Sequence, residues 1–134
     1  MSKLNGKIIV ITGGTSGIGR HMAGEFCKNN TVVNLARSCG EETGGIRCDV
    51  SSEADVKAAF DIVRERYGRV DILINNAGYG VSGAAELLSD KEVSRIFEVN
   101  FMGVFRCVKY ALPLMSAGGK IVNISSACAI FPLP

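Results

Sequence analysis

Long apolar runs are missing from this sequence of 134 residues. The apolar runs that do occur, such as residues 8–11, fall far short of the roughly 18 residues that a membrane-spanning helix needs. Lys3 and Lys7 stand near the start, but neither a long apolar stretch nor a small-residue cleavage site follows them, as a signal peptide would require. We therefore expect neither a transmembrane helix nor a secretory leader.

An excess of one charge is also lacking. The fifteen lysines and arginines nearly balance the thirteen acidic residues, so the formal net charge is only +2, and the charges are scattered along the chain. Partners such as nucleic acid or an anionic membrane surface call for a concentrated basic patch. We predict neither partner.

The cysteines do not form a framework. They are five in number, and none belongs to a Cys-x-x-Cys pair. An odd set without paired spacing argues against a disulfide scaffold or a zinc site, and fits unpaired thiols in a reducing cytoplasm. We expect no metal site, a cytoplasmic location, and small side chains that fill the core. The cysteines are Cys27, Cys39, Cys48, Cys107 and Cys128, and only Cys128 falls next to a suspected functional segment.

Apolar runs of strand length alternate with segments of helical periodicity, which is typical of a parallel sheet covered by helices. The predicted strands are residues 7–12, 31–36, 45–48, 70–75 and 120–125. Right-handed crossovers would give a doubly wound α/β sheet, for which the order 3-2-1-4-5 is the usual arrangement. The chain shows neither repeat nor linker, so residues 1–134 are predicted to be one domain.

Three segments have helical character. The first carries Ile18, Met22 and Phe26 at a spacing that puts them on one face. The other two begin with a serine followed three positions later by an acid, which predicts a capping box. These pairs are Ser52 with Asp55 and Ser89 with Glu92. Pro113 should kink or stop the third and longest helix.

A glycine-rich loop, Thr-Gly-Gly-Thr-Ser-Gly-Ile-Gly at residues 12–19, lies between the first strand and the first helix. Glycine allows a tight turn and a close approach of backbone to a pyrophosphate, and the N–H groups at a helix start attract negative charge. A plain strand-to-helix turn would need only one glycine. Four of them favour a phosphate cradle. The residues predicted to bind the cofactor here are Gly13, Thr15, Ser16, Gly17, Ile18 and Gly19.

This loop resembles that of the short-chain dehydrogenase/reductase (SDR) family, and three further motifs follow in the family's order. They are Asp49-Val50, Asn75-Asn76-Ala77-Gly78 and the segment 119–126. The resemblance covers the whole chain and implies a Rossmann-like, NAD(P)-binding domain. It also implies that Asp49 and Val50 hold the adenine ring and that Asn76, Ala77 and Gly78 contact the cofactor.

Arginine at the end of the second strand indicates which dinucleotide is bound. An acid at that position hydrogen-bonds the ribose 2′-hydroxyl of NAD, whereas an arginine binds the 2′-phosphate of NADP. Here Ala36 takes the place of the acid and is followed by Arg37 and Ser38, which could both bind phosphate. We predict NADP(H) as the preferred cofactor, with NAD(H) possible. The alternative is that Arg37 is only a solvated loop cation.

The resemblance supplies half of a catalytic set. Asn100 matches the family's asparagine, which supports a proton relay, and Ser126 matches the serine that positions the substrate oxygen. Ser125 competes for the second role, and a buried structural asparagine is the alternative for the first. The family's tyrosine and lysine, spaced Tyr-x-x-x-Lys, are absent. The three tyrosines are Tyr67, Tyr79 and Tyr110, and the residues four positions later are Asp71, Gly83 and Leu114.

Residues 131–134 resemble the loop that precedes the tyrosine helix in the family, so we expect the sheet to be incomplete on its C-terminal side. The predicted function is hydride transfer between nicotinamide and a small carbonyl or alcohol, with this chain as the cofactor-binding half and not competent alone. A non-catalytic NADP-binding or assembly module, or a truncated product without an evolved role, are the alternatives. An exposed fifth strand or long helix should drive formation of a homo-oligomer.

Overall fold

Parallel strands form the centre of the computed structural model, which describes residues 4–39 and 44–130. The strands in these ranges are β1 (Ile8–Thr12), β2 (Thr31–Ala36), β3 (Ile46–Arg47), β4 (Ile72–Asn75) and β5 (Lys120–Asn123). They lie in the order β3-β2-β1-β4-β5, and every neighbouring pair is parallel. The predicted doubly wound fold is confirmed, with each strand except β2 shorter than its predicted range.

The middle of the sheet is buried on both faces. In β1, Ile9, Val10 and Ile11 are fully buried, because β2 and β4 flank the strand and helices cover it above and below. Val10 belongs to the larger core beneath the second and later helices, whereas Ile9 and Ile11 face the smaller core beneath the first helix. A continuous apolar run, without polar alternation, is what such a strand requires.

Helices cover both faces of the sheet. They are α1 (Gly17–Phe26), α2 (Glu53–Tyr67), α3 (Asp90–Phe97) and α4 (Gly103–Ala111). A π-helical turn, Glu98–Met102, joins α3 to α4, and the backbone stays right-handed at both junctions. The predicted long helix therefore exists, with one wider turn inside it. A 3₁₀ turn, Leu112–Leu114, follows α4, so the helix ends just before Pro113 as predicted.

Only one of the two predicted capping boxes is complete. Ser89 and Glu92 satisfy each other's backbone N–H groups at the start of α3. At α2, the Ser52 hydroxyl accepts a hydrogen bond from the Asp55 N–H at 3.3 Å, but the Ser52 N–H donates to the Asp49 carbonyl instead, at 2.9 Å. The Asp55 carboxylate is one methylene shorter than glutamate, and it is already bonded to the Ser52 hydroxyl and the Asp49 N–H.

Ile18 lies on the helical face of Met22 and Phe26, as their spacing predicts, but it is 65% exposed, whereas the other two pack against the smaller core. The prediction that the cysteines fill the core is wrong for Cys27, which is exposed just after the end of α1, where its thiol donates to the Gly24 carbonyl at 3.1 Å.

The other described cysteines, Cys39, Cys48 and Cys107, are buried free thiols as predicted. The side chain of Cys128 and all of residues 131–134 lie outside the described residues. In the part of the chain that the structure describes, no helix is long and apolar enough to cross a membrane. Nor do the described histidine, cysteine and acidic side chains form any group that could hold a metal ion.

Candidate functional site

A cleft of about 1330 Å³ runs across the carboxyl ends of the strands. This is the edge where open α/β sheets bind ligands. Every predicted site residue except Gly19 lines it. These residues are Gly13, Thr15, Ser16, Gly17, Ile18, Arg37, Ser38, Asp49, Val50, Asn76, Ala77, Gly78, Asn100 and Ser126. Motifs that are distant in the sequence therefore meet in one depression.

The glycine loop is shaped by close approaches of backbone. Gly13 has a φ of +69°, and a carbon added there would lie 2.9 Å from the Ala77 Cα. Gly19 is buried, and a carbon added to it would overlap the Asn76 amide and the Gly13 carbonyl. Gly19 therefore allows α1 to pack against the loops below it, and it does not itself line the cleft.

The start of α1 has unused donors. Ser16 is the residue before the first helical turn, and its side chain makes no capping hydrogen bond. The first N–H groups of a helix have no partner within the helix, and the helix dipole adds partial positive charge there. Because Ser16, Gly17 and Ile18 line the cleft, this helix start can bind an anionic group such as a pyrophosphate.

Thr12 and Asn76 tie the glycine loop to the loop after β4. The buried Thr12 hydroxyl oxygen accepts hydrogen bonds from the Asn76 N–H at 3.0 Å and the Ala77 N–H at 2.9 Å. In return, the Asn76 amide nitrogen donates to the carbonyls of Thr12 and Gly13, both at 3.1 Å. Sequence reasoning did not assign Thr12 to the site, although it opens the glycine motif.

Asn34 is a second supporting residue that sequence reasoning missed. Its side-chain oxygen accepts a hydrogen bond from the Gly14 N–H at 2.8 Å, which fixes the glycine loop to β2. A carbon added to Gly14 would contact this amide. The signal was present in the sequence: Asn34 is a polar residue inside an otherwise apolar strand, where it needs a hydrogen-bond partner.

One end of the cleft groups hydroxyls with an arginine. Arg37 and Ser38 follow β2, both are exposed, and both line the cleft. The Ser38 hydroxyl donates to the Thr15 hydroxyl at 3.0 Å, so the glycine loop and the end of β2 lie side by side. The structure thus places Arg37 and two hydroxyls along the same end of the cleft.

Asp49, after β3, belongs to a hydrogen-bonded network. One of its carboxylate oxygens accepts from the Ser51 N–H at 2.9 Å and the Ser51 hydroxyl at 2.6 Å. The other accepts from Arg95 of α3 at 3.0 Å. Partial burial raises the pKa of Asp49, but the hydrogen bonds from Ser51 and the adjacent Arg95 charge outweigh it, so the pKa lies below its usual value. The carboxylate is therefore charged at neutral pH.

The opposite end of the cleft contains Asn100 and the paired serines. Asn100 lies on the π-helical turn and is exposed, so its interpretation as a buried structural asparagine is wrong. Its amide nonetheless holds backbone: the nitrogen donates to the Tyr79 carbonyl at 2.8 Å, and the oxygen accepts from the Tyr79 N–H at 3.1 Å. Ser125 and Ser126 both line the cleft, so position alone does not choose between them.

Asn75 and Asn123 form a polar pair at the ends of β4 and β5. They are register partners, and the Asn75 amide nitrogen donates to the Asn123 side-chain oxygen at 2.8 Å. Asn75 is only 3% exposed, and its side-chain oxygen accepts no hydrogen bond from any residue that the structure describes. This pair joins the loop after β4 to the segment that carries the serines.

The family follows from a comparison with known proteins. A sequence model described as short chain dehydrogenase matches residues 7–134, almost the whole chain. The chain belongs to the short chain dehydrogenase family. Members of this family generally bind NAD(P), which agrees with the cleft described above.

Relatives within the short chain dehydrogenase family are similar over nearly the full chain. A 3beta-hydroxysteroid dehydrogenase of Mediterraneibacter gnavus is 37% identical, with 100% of this chain and 54% of the relative covered. The ligand-free aldohexose dehydrogenase of Thermoplasma acidophilum is 36% identical with a TM-score of 0.86, covering 91% of this chain and 50% of that one. The structure of ElxO with NADP bound is 29% identical with a TM-score of 0.85, covering 96% and 59%. The chain thus spans about half the length of these relatives.

Proposed function

We propose that this chain is the cofactor-binding half of an NADP(H)-dependent short-chain dehydrogenase. The observation that carries the proposal is the cleft itself. The uncapped start of α1, the glycine loop, and Arg37 with Ser38 after β2 all line this one cleft. The cofactor fits this surface because the glycines of the loop carry no side chain that would occupy it; a carbon added to Gly17, which lines the cleft, would lie in open space. When bound, NADP(H) supplies or accepts the hydride that converts a carbonyl to an alcohol or the reverse.

Preference for NADP(H) over NAD(H) rests on the end of β2. Ala36 has no side-chain acceptor for a ribose hydroxyl, whereas Arg37 offers a guanidinium fork that matches a phosphate. The Ser38 hydroxyl donates to that of Thr15, whose own proton can be donated to the same group. The bound NADP in the relative ElxO supports this choice.

Substrate handling would fall to the other end of the cleft. We assign Ser126, with Ser125 as the alternative, to positioning the oxygen of a small carbonyl or alcohol, and Asn100 to supporting proton transfer. No tyrosine in the 134 residues is followed four positions later by lysine. These residues alone should therefore bind cofactor without turnover, and the residues 1–134 act as one partial domain.

Self-association is part of the proposal. Phe97, Phe101 and Phe105 recur at a spacing of four along the α3–α4 helix and are 63%, 66% and 55% exposed. Exposed aromatic surface of this kind marks a contact region in a soluble protein. The residues of β5 are also exposed, which leaves that strand as the alternative surface for pairing between copies.

The test is calorimetric titration of the purified chain with NADPH and, in parallel, NADH. We expect saturable binding that favours NADPH. Arg37→Met should weaken NADPH binding about 10- to 100-fold, the range for losing a charge-assisted hydrogen-bonded contact, and leave NADH unchanged. Arg64→Met is the matched control, because Arg64 pairs with Asp61 on the exposed side of α2, away from the cleft.

Each other result has a distinct meaning. Equal affinities for the two cofactors would refute the NADP preference alone. No binding of either by a folded sample would refute the cofactor-binding proposal. Oxidation of NADPH in the presence of a panel of small ketones would refute the claim that these residues do not turn over, whereas binding without turnover leaves a binding module or half-enzyme.

A further inference from the structure

Two arginines of the α3–α4 helix reach the loop between β3 and α2. Arg95 donates to the Asp49 carboxylate at 3.0 Å and to the Ser51 hydroxyl at 2.7 Å. Arg106, only 13% exposed, donates to the Ser51 carbonyl at 3.0 Å and pairs with Glu98 at 2.8 Å. The two contacts differ in kind: Arg106 holds the backbone of the loop, whereas Arg95 holds the side chain that faces the cleft.

The network around Asp49 is closed. The Ser51 hydroxyl donates to the Asp49 carboxylate and accepts from Arg95, which itself bonds the other carboxylate oxygen. Three hydrogen bonds to the carboxylate leave about one of its four acceptor positions for a ligand in the cleft. An ionised carboxylate only accepts, so the ligand group at that position has to be a donor.

We propose that Arg95 is a positioning residue that sets the base specificity of the cleft. By fixing the Asp49 carboxylate, Arg95 selects a purine with an exocyclic amino group over one with an oxo group at the same position. This inference rests on the proposed function, and it extends that function by assigning base recognition to an arginine of α3 that lies outside the predicted cofactor motifs. An oxo group is an acceptor, as the carboxylate is, so the two oxygens would face each other without a proton to form a hydrogen bond.

The position of Arg95 allows it to affect base recognition without being needed for the stability of the fold. Its side chain is 44% exposed and lines the cleft beside Asp49 and Val50. Without Arg95, the loop would keep the contact from Arg106, and α4 would still approach it at Gly103, where an added carbon would lie 2.9 Å from a Val50 methyl. The Asp49 carboxylate would then keep only its two hydrogen bonds from Ser51, which both go to one oxygen, and the other oxygen would lose the contact that fixes its direction.

The experiment compares binding of NADPH with binding of its hypoxanthine analogue, in which an oxo group replaces the amino group of the base. We expect the wild-type chain to prefer NADPH by about tenfold or more, the discrimination that a charged hydrogen bond provides. In Arg95→Met the preference should fall to about threefold or less, with Arg95→Lys between the two because an ammonium cannot bond both partners in a fork. Arg64→Met should keep the wild-type ratio.

A second variant tests the network independently. Ser51→Ala keeps both charges but removes the hydroxyl between them, and it should also lower the ratio. A purely structural role for Arg95 would weaken both ligands equally and leave the ratio unchanged. An unchanged ratio in Arg95→Met and Ser51→Ala, or a wild-type chain that does not discriminate, would overturn the inference while leaving cofactor binding intact. Absence of NADPH binding by the folded wild type would instead overturn the proposed function, and the inference with it.

Discussion

Replacing Thr12 by valine isolates one hydroxyl that holds two loops together. Thr12 is 2% exposed, and its oxygen is the acceptor for the N–H groups of Asn76 and Ala77 at 3.0 and 2.9 Å. Valine has nearly the same shape, so packing is kept while both N–H groups lose their acceptor. A buried donor without a partner costs about 1–3 kcal/mol. Since Asn76 and Ala77 are only half-buried, we expect the free energy of unfolding to fall by about 2–4 kcal/mol.

Urea denaturation followed by circular dichroism measures this loss, with Thr12→Ser as the matched control. Serine keeps the hydroxyl and removes one methyl group, so it should cost only about 1 kcal/mol. The slope of free energy against urea should not change. If valine costs less than about 1 kcal/mol, or serine costs as much as valine, then the hydroxyl does not hold the loops and the reasoning fails.

Two further substitutions test the charge balance and the exposed helix. The Asp71 carboxylate is partly buried, which raises its pKa, but the hydrogen bond from the Ile8 N–H and the nearby Arg69 outweigh this and lower it below the ordinary 3.8. The ionised carboxylate therefore stabilises the fold above pH 3.8, and this stabilisation is lost as the pH falls through the pKa of the folded state. Asp71→Asn should lower the free energy of unfolding by about 1–3 kcal/mol at pH 7 and by progressively less below pH 3.8, as measured by acid unfolding. A difference between the two proteins that does not change with pH would contradict this. Phe101→Glu places a charge on the exposed aromatic surface, so it should shift the chain toward monomer in sedimentation equilibrium while the circular dichroism spectrum of the folded chain stays unchanged. An unaltered mass would indicate that the copies pair through β5 and not through the helix.

Much of the sheet was predictable because its signals are local. Residues 8–11 form an apolar run of the kind that a strand buried on both faces requires, and the glycine loop directly after it marks the strand's carboxyl end. The right-handed crossover rule then limits the connections, and the order 3-2-1-4-5 is the usual arrangement of such a sheet. The same reasoning put the motifs of the site at one edge, where the structure indeed gathers them.

Features that depend on contacts between residues distant in the sequence could not be predicted from it. The π-helical turn at Glu98–Met102 accompanies a bond between the Asn100 amide and the backbone of Tyr79, a contact that helical periodicity does not encode. Arg95 is likewise indistinguishable from any exposed helix arginine until the fold brings Asp49 beside it, 46 positions away in the chain. Ile18 fits the apolar helix pattern, yet only the three-dimensional structure shows that this side chain is largely exposed.

The π-helical turn gives the α3–α4 helix one place where its length can change. The turn accommodates one residue more than a regular α-helical turn, whereas each residue of a regular α-helix corresponds to a rotation of about 100°. Deleting one residue within Glu98–Met102 would let this turn become a regular α-helical turn, so that Gly103 would stay against Val50 and Arg106 against Ser51. The same deletion within α3 or α4 would rotate the flanking residues away from their partners, so the wide turn is where this helix can best tolerate a change in length.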